Sequence, residues 1–402
     1  MSNYKKTELE TLATFQEEIP SQYFSHKGQD EFDTYMKKME YLYRMRFKFP
    51  PKMFDGVELI DFGAGTGENT IYLANWGAKC TLVEMNDKAQ KISKEVFSKY
   101  AKKPEDHTFV HSSIFEYKPS EKKKYDIVHC RGVLSHTSEK EEAFRIISEY
   151  VKPGGYIIFG DPNKAGGFQN MLQRYAVYSF GSTPDAMVDV SELLFKEDID
   201  RSQEAVPRTR RAIIFDRWVI QQQDDPSVAE VNSWMANSGL QMYSSYPEVL
   251  MPIMSDSYLD NKIIDPYAYQ NLFTIPELAW MMRTDDDSNF LPEVDKNMEA
   301  FTTVFSEITS FIANFSKKTK VNTSEFNKKM EVLVDASSVN QFLNPLEKKM
   351  SVFSKEVVGF VKVVQDGDLS KVRAFIENTE FLFKGAVGVR HVDFIGHKPI
   401  KG

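Results

Sequence analysis

The chain reads as an α/β protein, doubly wound around a mostly parallel sheet, and three observations predict this. Apolar runs of strand length alternate with stretches of helical spacing between residues 57 and 160. The first run, Val57 to Ile60, opens directly into Asp61-Phe62-Gly63-Ala64-Gly65-Thr66-Gly67. An acid, Glu84, then stands 21 residues after Gly63, at the end of the second apolar run. Strand, glycine-rich turn and helix start together let a backbone approach a ligand closely, and the later acid accepts from ribose hydroxyls. The pair of signals implies an adenine nucleoside site.

Each element follows from its own spacing. Residues from about 8 to 50 carry an apolar and aromatic stripe that includes Tyr23, Phe24, Phe32, Tyr35, Met36, Met39 and Leu42, and predict helices ahead of the sheet. The first strand is Val57 to Phe62, the helix after it Glu68 to Trp76, and the second strand Lys79 to Glu84. A helix from about Lys88 to Lys102 leads to a short third strand, His107 to His111. Tyr125 to Cys130 is the fourth strand. The helix Glu139 to Tyr150 stops at Pro153-Gly154-Gly155 and turns into the fifth, Gly155 to Gly160. Strands alternating with helices of this length imply parallel pairing through right-handed crossovers. Between 162 and 225 the periodicity breaks, in a stretch rich in Arg, Gln, Gly and Tyr. It returns with a helix, Ser227 to Ser238, and a sixth strand, Leu240 to Tyr246. The chain from there to the last alternating segment, 389–399, is far too long for a structureless loop. Helical spacing in Pro292 to Lys318, Ser324 to Ala336, Pro345 to Gln365 and Leu369 to Lys384 predicts a helical insertion there.

These boundaries give four segments: helices over 1–50, an α/β core over 51–250, the insertion over 251–387 and a closing strand over 388–402. Apolar residues make up 42% of the 402, enough for a sizeable core. The net charge of −8 offers no overall attraction to a phosphate backbone, so small molecules are the better-matched ligands. Cys80 and Cys130 each fall in a predicted buried strand, which excludes a disulfide framework. The polar N-terminus has no apolar signal region and no run reaches the length of a membrane span. A cytoplasmic location is expected.

The glycine spacing narrows the ligand. A dinucleotide fingerprint wants G-x-G-x-x-G, but Glu68 stands in the third slot with Gly67 one place early, and no Lys-Ser/Thr follows as a P-loop needs. What remains, D-x-G-x-G-x-G followed by an acid, resembles the S-adenosylmethionine (SAM) site of class I methyltransferases. Roughly residues 50 to 165, 227 to 250 and 388 to 399 are similar to that family, especially its small-molecule, quinone-biosynthesis-like group. The resemblance implies a Rossmann-like sheet of seven strands with the last antiparallel, an N-terminal helical lid, a helical insertion before the last strand, and SAM as cofactor. It assigns Asp61, Gly63, Ala64, Gly65 and Gly67 to the methionine part of SAM, Glu84 to the ribose, and Met85 to the adenine face. After the third strand, where the family usually has an acid for the adenine amino group, Ser113 stands instead, beside the Ile114 backbone N–H. Tyr23, Tyr35 and Arg46 are candidate lid residues.

Tyr125 to Thr137 is similar to the family's fourth-strand segment, whose first residues past the strand line the cleft between SAM and acceptor. Arg131 and His136 stand there, at the edge where open α/β sheets bind ligands, and are the candidate catalytic residues; Arg131 is also a candidate cofactor contact. Methyl transfer is an in-line displacement at an activated carbon, so most of the acceleration can come from holding the nucleophile close, with no metal required. If the acceptor is a hydroxyl, a neutral His can take its proton, and His136 is the candidate base. Arg208, Arg210 and Arg211, near Phe215-Asp216-Arg217-Trp218, could clamp a carboxylate or phosphate, or could form a surface ion-pair network. The expected function is SAM-dependent methylation of O, N or C of a small metabolite. An RNA nucleoside methyltransferase and a non-catalytic SAM-fold protein that binds a partner chain are the alternatives. The insertion is expected to cover the substrate or to join copies in a homo-oligomer.

Overall fold

The computed structural model of the chain describes residues 3–19, 24, 28–119, 123–205, 208–249, 270–283, 298–314, 321–338, 344–385 and 390–400. Its strands are β1 (Glu58–Phe62), β2 (Lys79–Glu84), β3 (Thr108–His111), β4 (Tyr125–Arg131), β5 (Val151–Pro162), β6 (Gln241–Tyr246) and β7 (His391–His397). They form one seven-stranded sheet in the order β3-β2-β1-β4-β5-β7-β6. The pairs among β1 to β5 are all parallel, while β7 lies antiparallel between β5 and β6. Leu59, Ile60, Phe62, Val128, Ile157 and Ile158 are buried, as continuous apolar runs are when helices cover both faces of a parallel sheet.

The reversal of β7 has a consequence for the site. The carboxyl ends of β1, β2, β4 and β5 share one edge, and an antiparallel strand brings its beginning, rather than its end, to that edge. His391 accordingly pairs with Pro162.

Helices α1 (Asn3–Glu17) and α2 (Gln29–Tyr41) precede the sheet, and α3 (Ile71–Asn75), α4 (Asp87–Tyr100) and α5 (Lys140–Glu149) connect its parallel strands. α3 begins later than the predicted Glu68. The Asp61 carboxylate accepts from Thr70 Oγ1, and Glu68 is buried with its carboxylate accepting from Phe24 N, so residues 66–70 form turns instead of helix. Asn86 caps α4 by accepting from Lys88 N and Ala89 N.

The region with no legible period, 162–225, is helical: α6 (Phe168–Phe180), α7 (Pro184–Ala205, kinked at Phe195) and α8 (Arg210–Ile214). Its pattern is hidden because Phe168 to Val177 are all buried, polar residues included. Gln169 donates to Met281 O and accepts from Phe383 N, and Gln173 accepts from Trp218 Nε1. Buried polar side chains satisfied in this way erase the apolar stripe on which a helix reading depends.

After α9 (Val228–Asn237), which has a Ser227/Glu230 capping box, and β6 come α10 (Gln270–Met281), α11 (Met298–Ala313), α12 (Thr323–Ser338), α13 (Asn344–Gln365) and α14 (Leu369–Glu377). The last four fall within the four predicted helical stretches or overlap them, with residues 292–297 and 315–318 outside the described residues; the fourth is shorter than predicted, since α14 ends at Glu377 and 378–384 form turns. Leu172, Trp218, Ile308, Leu333, Phe360 and Val372 share one hydrophobic cluster, so α6, α11, α12, α13 and α14 form a single helical body with the segment after α8. This body draws on chain from both sides of β6. α10 ties it to the sheet, with Phe273 and Trp280 against the sheet helices and Leu278 and Met281 in the helical cluster.

Candidate active site

A cavity of about 430 Å³ opens at the edge where the parallel strands end and β7 begins. It has two ends. One is the glycine turn after β1 together with the ends of β2 and β3: Gly63, Gly65, Glu84, Met85, Asn86, Ser113 and Ile114. The other gathers Arg131, His136, Pro162, Arg208, Asp216, Gln223, Arg390 and His391. Helix α1 lies across both, contributing Glu8, Thr11, Leu12 and Phe15.

At the first end, Gly63, Gly65 and Gly67 all have positive φ, 69°, 55° and 73°, which suits residues without a Cβ. A Cβ on Gly63 would come within 2.5 Å of Val133 Cγ2, so the turn is close-packed as well as left-handed. Glu84 is buried; its Oε2 accepts from Gly65 N at 2.8 Å and its Oε1 from Asn86 N at 2.7 Å. Burial raises its pKa, opposed by these donors. Each carboxylate oxygen keeps a further acceptor site, so the group that fixes the turn can also take ribose hydroxyls. Asp61, Ala64 and Gly67 stand behind this wall. Asp61 holds Thr70 and accepts at 2.7 Å from His129 Nδ1, so it supports the turn from within the core.

Where the sequence has Ser113 in place of an acid, α1 brings one. Glu8 is buried against the cavity and hydrogen-bonds to Ser113, and burial raises its pKa. Its Oε2 is ion-paired with Lys5 Nζ at 3.6 Å. Sequence reasoning missed Glu8, Thr11 and Phe15, because an amphipathic helix does not announce which sheet edge it will cover.

At the second end, His136 closes the short turn Leu134–His136. Its Nδ1 lies 3.0 Å from the Gln222 carbonyl, an acceptor only, so Nδ1 carries the proton and Nε2 holds the free lone pair of the neutral ring. Burial lowers its pKa below the usual histidine value, against a smaller upward pull from that carbonyl. The Phe15 ring meets the imidazole edge-on at 5.2 Å, and Thr11 Oγ1 donates to the His136 carbonyl at 3.2 Å. The turn is anchored by Asp161, whose Oδ2 accepts from Leu134 N at 3.0 Å and Ser135 N at 3.2 Å. Burial and the neighbouring Asp225 push the Asp161 carboxyl up to about 8.

Arg131 lines the cavity, but its guanidinium is held as a fork by Asp393, Nε to Oδ1 at 2.6 Å and Nη2 to Oδ2 at 2.9 Å. A Cβ on Gly160 would overlap that carboxylate, so the close approach requires glycine there. Of the arginine cluster, Arg210 pairs with Glu192 and Asp200, and Arg211 with Glu17, Glu18 and Asp185, both away from the cavity. Arg208 does reach it, held by Asp216 at 3.1 Å. Tyr35 donates to Asn69 at the cavity wall, Arg46 sits between the Tyr41 and Tyr246 rings away from the cavity, and Tyr23 lies outside the described residues. Arg390 and His391 escaped notice although their strand was foreseen. The signal was available: a final strand reversed in the sheet must start at the ligand edge.

The cavity is within the roughly 300–1,000 Å³ that metabolite sites occupy. A left-handed glycine turn, a buried acid facing it, and the Glu8 carboxylate beyond fit a nucleoside carrying an amino-acid tail. Strand order, reversed seventh strand and glycine turn together define a class I methyltransferase fold, the fold that binds SAM. Residues 35–184 match the family profile described as a methyltransferase domain. The chain is 28% identical over 109 residues to a ubiquinone biosynthesis O-methyltransferase of Nitrosospira multiformis, covering 27% of this chain and 44% of that one. It is 25% identical over 139 residues to the enzyme of the same name from Escherichia coli, covering 35% and 57%. The chain thus spans about half the length of these curated relatives. Among solved structures, a protein called PKMT2 from Rickettsia typhi aligns at 13% identity and a TM-score of 0.41, over 60% of this chain and 50% of that one. Magnesium protoporphyrin IX methyltransferase from Synechocystis aligns at 15% identity and 0.31, over 53% and 75%. Among the described residues, no helix is long and apolar enough to cross a membrane.

Proposed function

We propose that the protein transfers a methyl group from SAM to a small metabolite, most simply to a hydroxyl oxygen, with His136 as the base. The observation that carries this is the placement of His136: one ring nitrogen is committed to the Gln222 carbonyl and the other is free, on the wall of the cavity that the glycine turn and Glu84 also line. Bound SAM supplies an activated methyl carbon on a sulfonium, and the sulfur keeps the bonding pair when S-adenosylhomocysteine (SAH) is released. The residues of the chain do the rest. Gly63 and Gly65 give the tail room, with Asp61, Ala64 and Gly67 setting the turn behind them. Glu84 takes the ribose hydroxyls, and Met85, Ser113 and Ile114 flank the base, with Glu8 as an acceptor from α1. His136 Nε2 takes the acceptor's proton as its oxygen gains the methyl group, and helix α1 over the cavity excludes competing water. Arg131, fixed by Asp393, shapes the wall between the two ends.

An oxygen acceptor is supported by the two curated relatives, both named as O-methyltransferases. A cytoplasmic location is supported by two buried cysteines that are free thiols. Self-association through the helical body would use exposed Leu193 and Val332. The reading is tested by incubating the purified chain with methyl-labelled SAM and a small-molecule cell extract. Label should enter small molecules and be suppressed by SAH. Label entering only added RNA, or entering nothing, would contradict it.

A further inference from the structure

We infer that the methyl acceptor carries an oxyanion, a carboxylate or a phosphate, and that Arg390 binds it at the end of the cavity that His136 lines. This rests on the methyltransferase reading and names the acceptor's chemical class.

Arg390 lines the cavity, yet among the described residues no carboxylate or carbonyl lies within hydrogen-bond or ion-pair reach of its guanidinium. The neighbouring arginines contrast with it. Arg131 is forked on Asp393, Arg208 is held by Asp216, and Arg174 donates to the Ile220 and Gln221 carbonyls. Arg390 is half-buried at the site, and a cation partly withdrawn from water without a counter-ion is unfavourable unless a ligand supplies one.

The carboxylates whose charges act on Arg390 have direct partners of their own. Asp216, whose charge acts on Arg390, is already engaged by Arg208. Asp225, whose charge also acts on Arg390, accepts from Gln223. Arg131 and Arg208 at the acceptor end are thus directly paired, whereas Arg390 keeps its guanidinium without a direct carboxylate contact among the described residues.

The base of this arginine is rigid. Asn163 N donates to the Arg390 carbonyl at 2.6 Å, and the β5–β7 pairing of Pro162 with His391 fixes the strand beside it. A guanidinium on a fixed base takes an oxyanion in two parallel hydrogen bonds, which orients the ligand as well as holding it. An acceptor anchored there would extend along the wall that His136 occupies. The site lies across β4 from Glu84, on the opposite side of the sheet order from the ribose position. That separates this role from binding of the cofactor.

The test uses the full chain. A small-molecule cell extract is split on an anion-exchange resin into retained and unretained fractions, and each is offered with methyl-labelled SAM to wild type, Arg390→Ala and Arg390→Lys. SAH affinity is measured for all three by calorimetry. The expected result is incorporation from the retained fraction, falling at least tenfold in Arg390→Ala and partly recovered in Arg390→Lys, with SAH dissociation constants within threefold of one another. Unchanged SAH binding also shows that the variants are folded. Incorporation from the unretained fraction alone would overturn the anionic acceptor while leaving the methyltransferase reading intact. A parallel loss of SAH affinity in Arg390→Ala would assign the arginine to the cofactor's own carboxylate and overturn the proposal. Label from neither fraction would overturn both readings.

Discussion

The two ends of the cavity are built in different ways. The nucleoside end comes mainly from one stretch of chain, residues 61–86, in which a strand, a left-handed turn and a second strand fix one another through Asp61, Thr70, Gly65 and Glu84. The acceptor end is assembled from the β4 turn, the 208–223 segment and the start of β7, which meet across sequence separations of 86 and 262 residues and are joined by Asp161, Gln222 and Asp393. Cofactor binding rests on local backbone geometry that tolerates little change. Acceptor binding rests on long-range packing, which can be rebuilt without disturbing the first end.

If the ends are separable, substitutions should divide between turnover and cofactor affinity. The largest effect is expected for His136→Asn: turnover should fall by about 10²- to 10⁴-fold, the range of general-base catalysis, with SAH affinity within threefold of wild type. The pH profile sharpens the point. Because burial lowers the His136 pKa, the neutral base persists below pH 6.5, and the rate should fall only as pH drops through that depressed value. A limb centred above 6.5 would remove His136 from the mechanism.

Gly63→Ala should do the reverse. With φ at 69° and a Cβ only 2.5 Å from Val133 Cγ2, the turn must shift, and strain of about 1–3 kcal/mol predicts SAH affinity weaker by roughly five- to 150-fold, read by calorimetry. Equal loss of turnover at saturating SAM would show that the ends are coupled.

The smallest effects belong to Asp161, which couples β5 to the His136 turn. Asp161→Ala leaves the N–H groups of Leu134 and Ser135 without their acceptor and should cost about 1–3 kcal/mol in denaturant unfolding; Asp161→Asn keeps the acceptor and should cost much less. The pH dependence has a definite sign. The carboxyl rises from 3.8 unfolded to about 8 folded, so its stabilising contribution is full below 3.8, declines as pH rises, and is gone above about 8. The stability difference between wild type and Asp161→Asn should therefore shift against wild type from pH 5 to pH 8. A constant difference would mean that the acid is ionised in the fold.

The same contrast explains what the sequence made legible. The strands, their order of appearance and the glycine-turn end were readable because apolar runs of strand length and a seven-residue turn are local signals. The helices over 168–205 were not, since Gln169, Asn170, Gln173 and Arg174 are buried with satisfied hydrogen bonds and break the apolar stripe. Topology alone set His136 at the ligand edge, and it lines the cavity there, whereas its tautomer depends on Gln222, 86 residues away. Arg131 was read as reaching ligands directly; its fork turns to Asp393, a partner 262 residues distant. Glu8 and Arg390 became visible only when α1 and β7 had been laid across the edge.

The central claim, that Glu84 and the glycine turn form a SAM pocket, is tested most directly by calorimetric titration of SAH into wild type and Glu84→Ala. The substitution removes the ribose acceptor and leaves the Gly65 and Asn86 N–H groups unpaired, a loss of roughly 2 kcal/mol or more, or at least about thirtyfold in affinity. Saturable one-to-one binding to wild type, weakened by that factor in the variant, is the predicted result. No binding to wild type, or equal binding to both proteins, would contradict the account.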